Sequence, residues 1–100
     1  MHKLRINRLA QGDLEKIQER GLAEFGLAVT RAHMEGIDRI FAQLQTYPLL
    51  GSSRPEYGRV VRGCSYPPYK ILYRYEGEVI FILRILHASQ GYRKIDDTVQ

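Results

Sequence analysis

Tyr69-Lys-Ile-Leu-Tyr-Arg-Tyr-Glu-Gly-Glu-Val-Ile-Phe-Ile-Leu-Arg-Ile-Leu-His87 decides the fold of this 100-residue chain. Aromatic and β-branched residues dominate both halves of the stretch, and such side chains suit a pleated, half-buried surface. Glu76-Gly77 separates the halves, and glycine supplies the φ > 0 of a tight hairpin turn. The stretch therefore predicts two long antiparallel strands joined at Glu76-Gly77. With that loop, Tyr75 pairs with Glu78, Tyr73 with Ile80, Ile71 with Ile82 and Tyr69 with Arg84. One face then shows Ile71, Tyr73, Ile80, Ile82 and Leu86. The other shows Lys70, Leu72, Arg74, Val79, Phe81, Leu83, Ile85 and His87.

Both faces are apolar, whereas an antiparallel sheet with one wet face alternates cleanly. Covering helices can shield one face. The other requires a second cover, from the C-terminal tail or from a partner chain. A one-residue slip would exchange the faces and leave that requirement intact.

Outward from the hairpin, the pattern changes from period two to helical spacing. Lys3 to Asn7 alternates as a short strand, and Asn7 is placed to cap a helix. From about Arg8 to Phe25, Leu14, Ile17, Gly21 and Phe25 form one stripe, with Asp13, Glu15, Lys16, Glu19 and Arg20 outside it. Gly26 reads as a stop. A second helix over about Leu27 to Gln45 carries Val29, His33, Ile37, Ile40, Phe41 and Leu44. Gly36 within it costs roughly 1 kcal/mol unless a neighbour packs closely there. Tyr47-Pro48 ends it. So short a link makes the helices antiparallel. Leu50 to Gly58 reads as a loop, Arg59 to Cys64 as a third strand, and Ser65-Tyr-Pro-Pro68 as a turn. The order is strand, helix, helix, strand, strand, strand. The expected fold is α+β: an N-terminal strand and an antiparallel helical hairpin packed on a mainly antiparallel β-sheet. Residues 1–100 are expected to be a single domain, with about 88–100 a tail.

Composition narrows the function. An apolar fraction of 44% argues against disorder. The longest aliphatic and aromatic run, Val79 to Leu83, falls far short of the roughly 20 residues that span a bilayer, so no membrane association is expected. Neither an apolar leader core nor a second cysteine beside Cys64 is present, which suits a reduced, cytoplasmic setting. The net charge of +4 is uneven: from Arg59 to Lys94 there are seven basic residues to two acidic ones. That balance favours an anionic partner, such as nucleic acid or an acidic protein.

The chemical candidates are few. His2, His33 and His87 are widely separated and Cys64 stands alone, so no metal is expected. No Gly-rich phosphate loop occurs, and no cofactor is called for. What remains is a basic set on the sheet and tail: Arg59, Arg62, Arg74, Arg84, His87, Tyr92, Arg93 and Lys94. It could hold phosphates, with His87 or Tyr92 moving protons in RNA cleavage. The competing structural account has Arg62, Arg74 and Arg84 making ladder contacts with Glu56, Glu76 and Glu78. It is favoured for Arg74, beside Glu76 and the turn.

The run Tyr69-x-Ile-Leu-Tyr-Arg-x-x-Gly-x-x-x-x-Ile-Leu-Arg-Ile-Leu-His87 resembles the ParE branch of the ParE/RelE toxin superfamily. Asp13-Leu-Glu-x-Ile17, the helix ending at Pro48, Gly51 and the loop to Arg59 follow in the same order, and the likeness spans about residues 3–90. The resemblance implies the toxin of a type II toxin–antitoxin system. It would inhibit DNA gyrase by trapping its DNA cleavage complex, without being an enzyme, and a cognate, ParD-like antitoxin would neutralise it. The implied antitoxin contacts are Leu72, Phe81, Leu83 and Ile85. The target contacts are Arg59, Arg62, Arg84, His87, Tyr92, Arg93 and Lys94. The alternative is a RelE-like, ribosome-dependent messenger RNA endoribonuclease using Arg84, His87 and Tyr92. The chain departs from the family after His87, where Ala88-Ser-Gln-Gly91 replaces a basic and acidic pair. Gln90 cannot bring charge to a phosphate, which shifts the expectation away from catalysis.

Overall fold

In the computed structural model, which describes residues 1–90, the elements are β1 (Lys3–Ile6), α1 (Arg8–Glu24), α2 (Leu27–Thr46), β2 (Ser52–Ser53), β3 (Arg62–Tyr66), β4 (Tyr69–Glu76) and β5 (Val79–His87). The strands form one sheet in the order β1-β5-β4-β3-β2. β1 runs parallel to β5 and the other neighbours are antiparallel. This is the expected α+β layout, with two refinements. The third strand begins at Arg62 rather than Arg59, and the loop before it contributes a short edge strand, Ser52–Ser53, to the sheet.

The hairpin turns one residue later than the sequence suggests. Gly77 and Glu78 form the loop, and Glu76 pairs with Val79. Gly77 has φ +59, the sign that a II′ loop needs at its first central residue. Between the turn and Ile82 every pair therefore shifts by two residues from the expected register, and beyond it by three. Tyr73 meets Ile82, and Tyr75 meets Ile80. A two-residue shift preserves the side-chain parity, so Ile71, Tyr73, Ile80 and Ile82 share a face as expected. Beyond Ile82 the parity breaks. Tyr73 pairs with Ile82 but Leu72 pairs with Arg84, leaving Leu83 as the extra residue of a bulge. The bulge exchanges Ile85 and Leu86: Ile85 packs in the helix-side core, and Leu86 packs with Leu72 and Leu83.

The helical hairpin buries the first face. Ile37, Phe41 and Leu44 of α2 and Ala10 of α1 meet Ile71, Tyr73, Ile80, Ile82 and Ile85, with Leu14 and Ile17 packed alongside. Two glycines set the spacing. A Cβ on Gly21 would lie 2.6 Å from Thr30 Oγ1, and one on Gly36 would overlap the Tyr66 ring. Close packing therefore compensates the helix penalty at Gly36. The outer ends of the sequence stripes do not join the core: Phe25 and Val29, at the link between α1 and α2, are exposed. Asn7 occupies the N-cap position in extended backbone, but its side chain makes no cap bond. Its buried backbone N–H instead extends the β1–β5 ladder to the Ile82 carbonyl.

The second face has a cover that the sequence reading treated only as loop. Tyr57 and Val61 pack on Leu72, Leu83 and Leu86, with Phe81 beside them. Arg74 lies 4.1 Å over the Phe81 ring and 3.4 Å from Glu76, and is almost buried. This agrees with its structural reading.

Candidate functional site

β1 accompanies β5 only from Val79 to Ile82, so the second half of β5, from Leu83 to His87, lacks a strand on that side. A buried N–H left there would cost free energy comparable to a lost hydrogen bond. Helix α1 supplies the missing acceptor. Asp13 Oδ2 accepts the Ile85 N–H at 2.9 Å and Arg84 Nε at 2.8 Å, while Oδ1 accepts Arg84 Nη2 at 2.9 Å. The fork matches the carboxylate bidentately. This pairing raises the Arg84 pKa further above its usual value, against the opposing effect of burial. The sequence reading placed Asp13 on the solvent side of α1 and gave Arg84 a glutamate partner. Spacing along one helix could not reveal a partner 71 residues away.

Between α1 and the end of the hairpin lies a groove of about 540 Å³. Lys16 and Arg20 stand on one side and Tyr69, Arg84 and His87 on the other, closed by Ser89 and Gln90. The strand end is capped locally. The His87 N–H donates to Gln90 Oε1 at 2.6 Å, and the Ala88 N–H donates to the Pro68 carbonyl at 2.7 Å. His87 Nδ1 accepts from the Ser89 N–H at 3.0 Å and lies 2.7 Å from Ser89 Oγ. An amide N–H only donates, so Nδ1 is the acceptor and the neutral ring carries its proton on Nε2. The ring also meets the edge of Tyr69, which meets His33 in turn.

The other sequence candidates are scattered. Arg62 spans the α2–β2 loop, donating through Nη2 to the Gly51 and Leu49 carbonyls, not to Glu56. Arg59 is exposed on the loop before β3. Tyr92, Arg93 and Lys94 lie outside the described residues. Leu72, Leu83 and Ile85 are 0%, 3% and 3% exposed. They are core residues and offer no free surface for an antitoxin, because the Tyr57–Val61 segment covers Leu72 and Leu83 and the helical hairpin covers Ile85. Phe81 is only partly buried.

Among the described residues, no cluster of three His, Cys, Asp or Glu side chains could hold a metal ion. No helix there is long and apolar enough to cross a membrane. Cys64 is half-buried, and desolvation raises its thiol pKa, with Arg62 a weaker opposing influence. The thiol therefore stays protonated at neutral pH. Its alkylation by iodoacetamide should run roughly tenfold slower than that of glutathione, and reach the free rate in denaturant. A native rate matching glutathione would contradict this environment.

Comparison with known proteins bears on this geometry. The family model described as the ParE toxin of the type II toxin–antitoxin system parDE matches residues 4–92. Toxin ParE3 of Caulobacter vibrioides is 34% identical over 84 residues, 84% of each chain. Among solved structures, one from the chromosomal ParDE system of P. aeruginosa superposes with a TM-score of 0.75 at 27% identity, covering 87% of this chain and 96% of its own. The RelBE2 toxin–antitoxin complex of Mycobacterium tuberculosis shares the fold, with a TM-score of 0.63 at 24% identity, 86% of this chain and 96% of its own being covered.

Proposed function

Because the chain belongs to the ParE toxin family of type II toxin–antitoxin systems, we propose that it poisons DNA gyrase by trapping the gyrase–DNA cleavage complex, without cutting nucleic acid itself. It would act in the cytoplasm, held inactive by a cognate, ParD-like antitoxin. The observation that carries this reading is the state of its two best catalytic candidates. Arg84 gives Nε and Nη2 to Asp13, so its charge is already matched and its fork is not presented to a phosphate. His87 already uses its acceptor nitrogen on Ser89. A general base needs that nitrogen open to the proton it abstracts. Gln90, where a charged residue would assist cleavage, is spent on capping the strand.

Contact with the target then falls to Arg59, which is exposed, and to Tyr92, Arg93 and Lys94, which extend the basic character of this half of the chain. Arg62 and Arg84 act indirectly, by fixing the surfaces around them. Phe81 is the expected antitoxin contact among those drawn from the family resemblance.

Two assays run in parallel test the proposal. Purified chain added to gyrase and relaxed plasmid should block supercoiling and accumulate cleaved DNA. Added to a translating extract, it should leave messenger RNA uncut. Messenger cleavage that is lost in Arg84→Ala or His87→Ala would establish the ribonuclease instead. No response in either assay at toxin excess would remove both activities and leave a binding role for the fold.

A further inference from the structure

β1 is an outer strand of the sheet, and part of its free edge is open. The ladder fixes which backbone groups point outward. Lys3 and Asn7 donate their N–H groups to the Glu78 and Ile82 carbonyls. The backbone groups of the alternate residues His2, Leu4 and Ile6 therefore face away from β5. The chain closes both ends of this edge itself. The His2 N–H donates to the Gln45 carbonyl at 2.9 Å, and the His2 carbonyl accepts Gln45 Nε2 at 3.0 Å. The Ile6 carbonyl accepts Gln11 Nε2 at 2.8 Å. Between these ties, the Leu4 N–H, the Leu4 carbonyl and the Ile6 N–H have no partner among the described residues. The Leu4 and Ile6 side chains are only half-buried against the helix-side core, as suits a strand with one side uncovered.

Lys3 and Arg5 alternate with these residues, exposed and without an ion pair among the described residues. Arg5 lies across from Phe81, whose ring carries the Arg74 guanidinium. The open edge is thus flanked by unmatched positive charge. Its chemistry selects the occupant. A nucleic-acid phosphate only accepts, and would leave the Leu4 carbonyl unmatched. An extended peptide brings donors and acceptors together. A second copy of β1 would set Lys3 and Arg5 against their own kind, which disfavours self-pairing. We propose that an extended acidic segment of the antitoxin pairs with β1 at Leu4 and Ile6, extending the five-stranded sheet by one strand, with carboxylates opposite Lys3 and Arg5. Backbone bonds supply the hold, and the charges choose the partner. The assignment rests on the toxin–antitoxin reading above. It also continues the antitoxin contact given there to Phe81, the neighbour of Arg5.

The test follows amide hydrogen exchange by NMR in the labelled chain, alone and with the protein encoded beside its gene. The Leu4 and Ile6 amides should exchange readily in the chain alone and roughly tenfold or more slowly in the complex. Lys3→Glu with Arg5→Glu should weaken the complex roughly tenfold, chiefly through slower association. Arg31→Glu with Arg39→Glu changes the net charge equally at exposed positions of α2, and should weaken it far less. A complex in which Leu4 and Ile6 exchange as fast as in the free chain overturns the strand pairing and leaves the toxin–antitoxin reading standing. Equal losses from the two double variants overturn the acidic match, because net charge alone would then account for them. If no complex forms, the partner reading fails and takes the assignment with it.

Discussion

Asp13→Ala is expected to lower the melting temperature by roughly 10–20 °C. The carboxylate satisfies three donors on β5, two of them on a guanidinium whose side chain is only 20% exposed. Removing it leaves a largely enclosed charge without its counterion and the Ile85 N–H without an acceptor. Partial exposure of Arg84 softens the loss below that of a fully buried pair, giving about 2–4 kcal/mol. For a domain of this size each kcal/mol corresponds to roughly 4–8 °C. Adding Arg84→Met to Asp13→Ala should recover part of the deficit, because the stranded charge disappears with its partner. Thermal unfolding followed by circular dichroism checks both. A drop of only a degree or two for Asp13→Ala would mean that the pair behaves as an exposed surface bridge, and the account of how α1 is tied to β5 would be wrong.

The same pair shows where the sequence was legible and where it was not. Local signals were sound. The aromatic and β-branched residues from Tyr69 to His87, the glycine at the turn and Pro48 after α2 each carry their own backbone preference, so the elements other than β2, and their order, could be read directly. The helix-side core residues Ile71, Tyr73, Ile80 and Ile82 were also legible, since a two-residue register error keeps their parity. The bulge at Leu83 was not. No glycine or proline marks it, and its effect is to move Ile85 and Leu86 to opposite faces. Both missed site features, the Asp13 tie and the Tyr57–Val61 cover, depend on contacts between segments distant in sequence. An aspartate outside the apolar stripe of α1 looks like any solvated residue until β5 is seen to run past the end of β1. Likewise Tyr57 and Val61 sit in a stretch with Gly, Ser and Pro, which signals a loop but says nothing about which face that loop closes over. That the second face of the hairpin is apolar and needs a cover was a correct deduction, but the cover expected from the tail or a partner chain comes from the Tyr57–Val61 loop.

Gly51→Ala should destabilise the fold by roughly 2–4 kcal/mol, although Gly51 does not adopt a positive φ. The restriction is space. An added Cβ would sit 2.7 Å from the Gly63 carbonyl oxygen and 2.7 Å from Tyr73 Cε1. The first is backbone held in the β2–β3 ladder and cannot swing aside. The second belongs to a fully buried tyrosine whose hydroxyl donates to the Pro48 carbonyl at 2.6 Å and accepts the Gly51 N–H at 2.9 Å. Burial raises the pKa of that hydroxyl, which keeps its donating proton in place. Tyr73→Phe alone should cost about 2–3 kcal/mol, because the Gly51 N–H, and the Pro48 carbonyl with it, loses its partner. The two substitutions should not add. In Gly51→Ala the alanine already displaces the Tyr73 hydroxyl, so removing that hydroxyl as well should cost roughly 1 kcal/mol less than it does in the parent chain. Urea unfolding of both single variants and the double variant closes the cycle. Additive losses would mean that Gly51 and Tyr73 stabilise the chain independently, and that the loop after α2 is not locked to β4 through this hydroxyl.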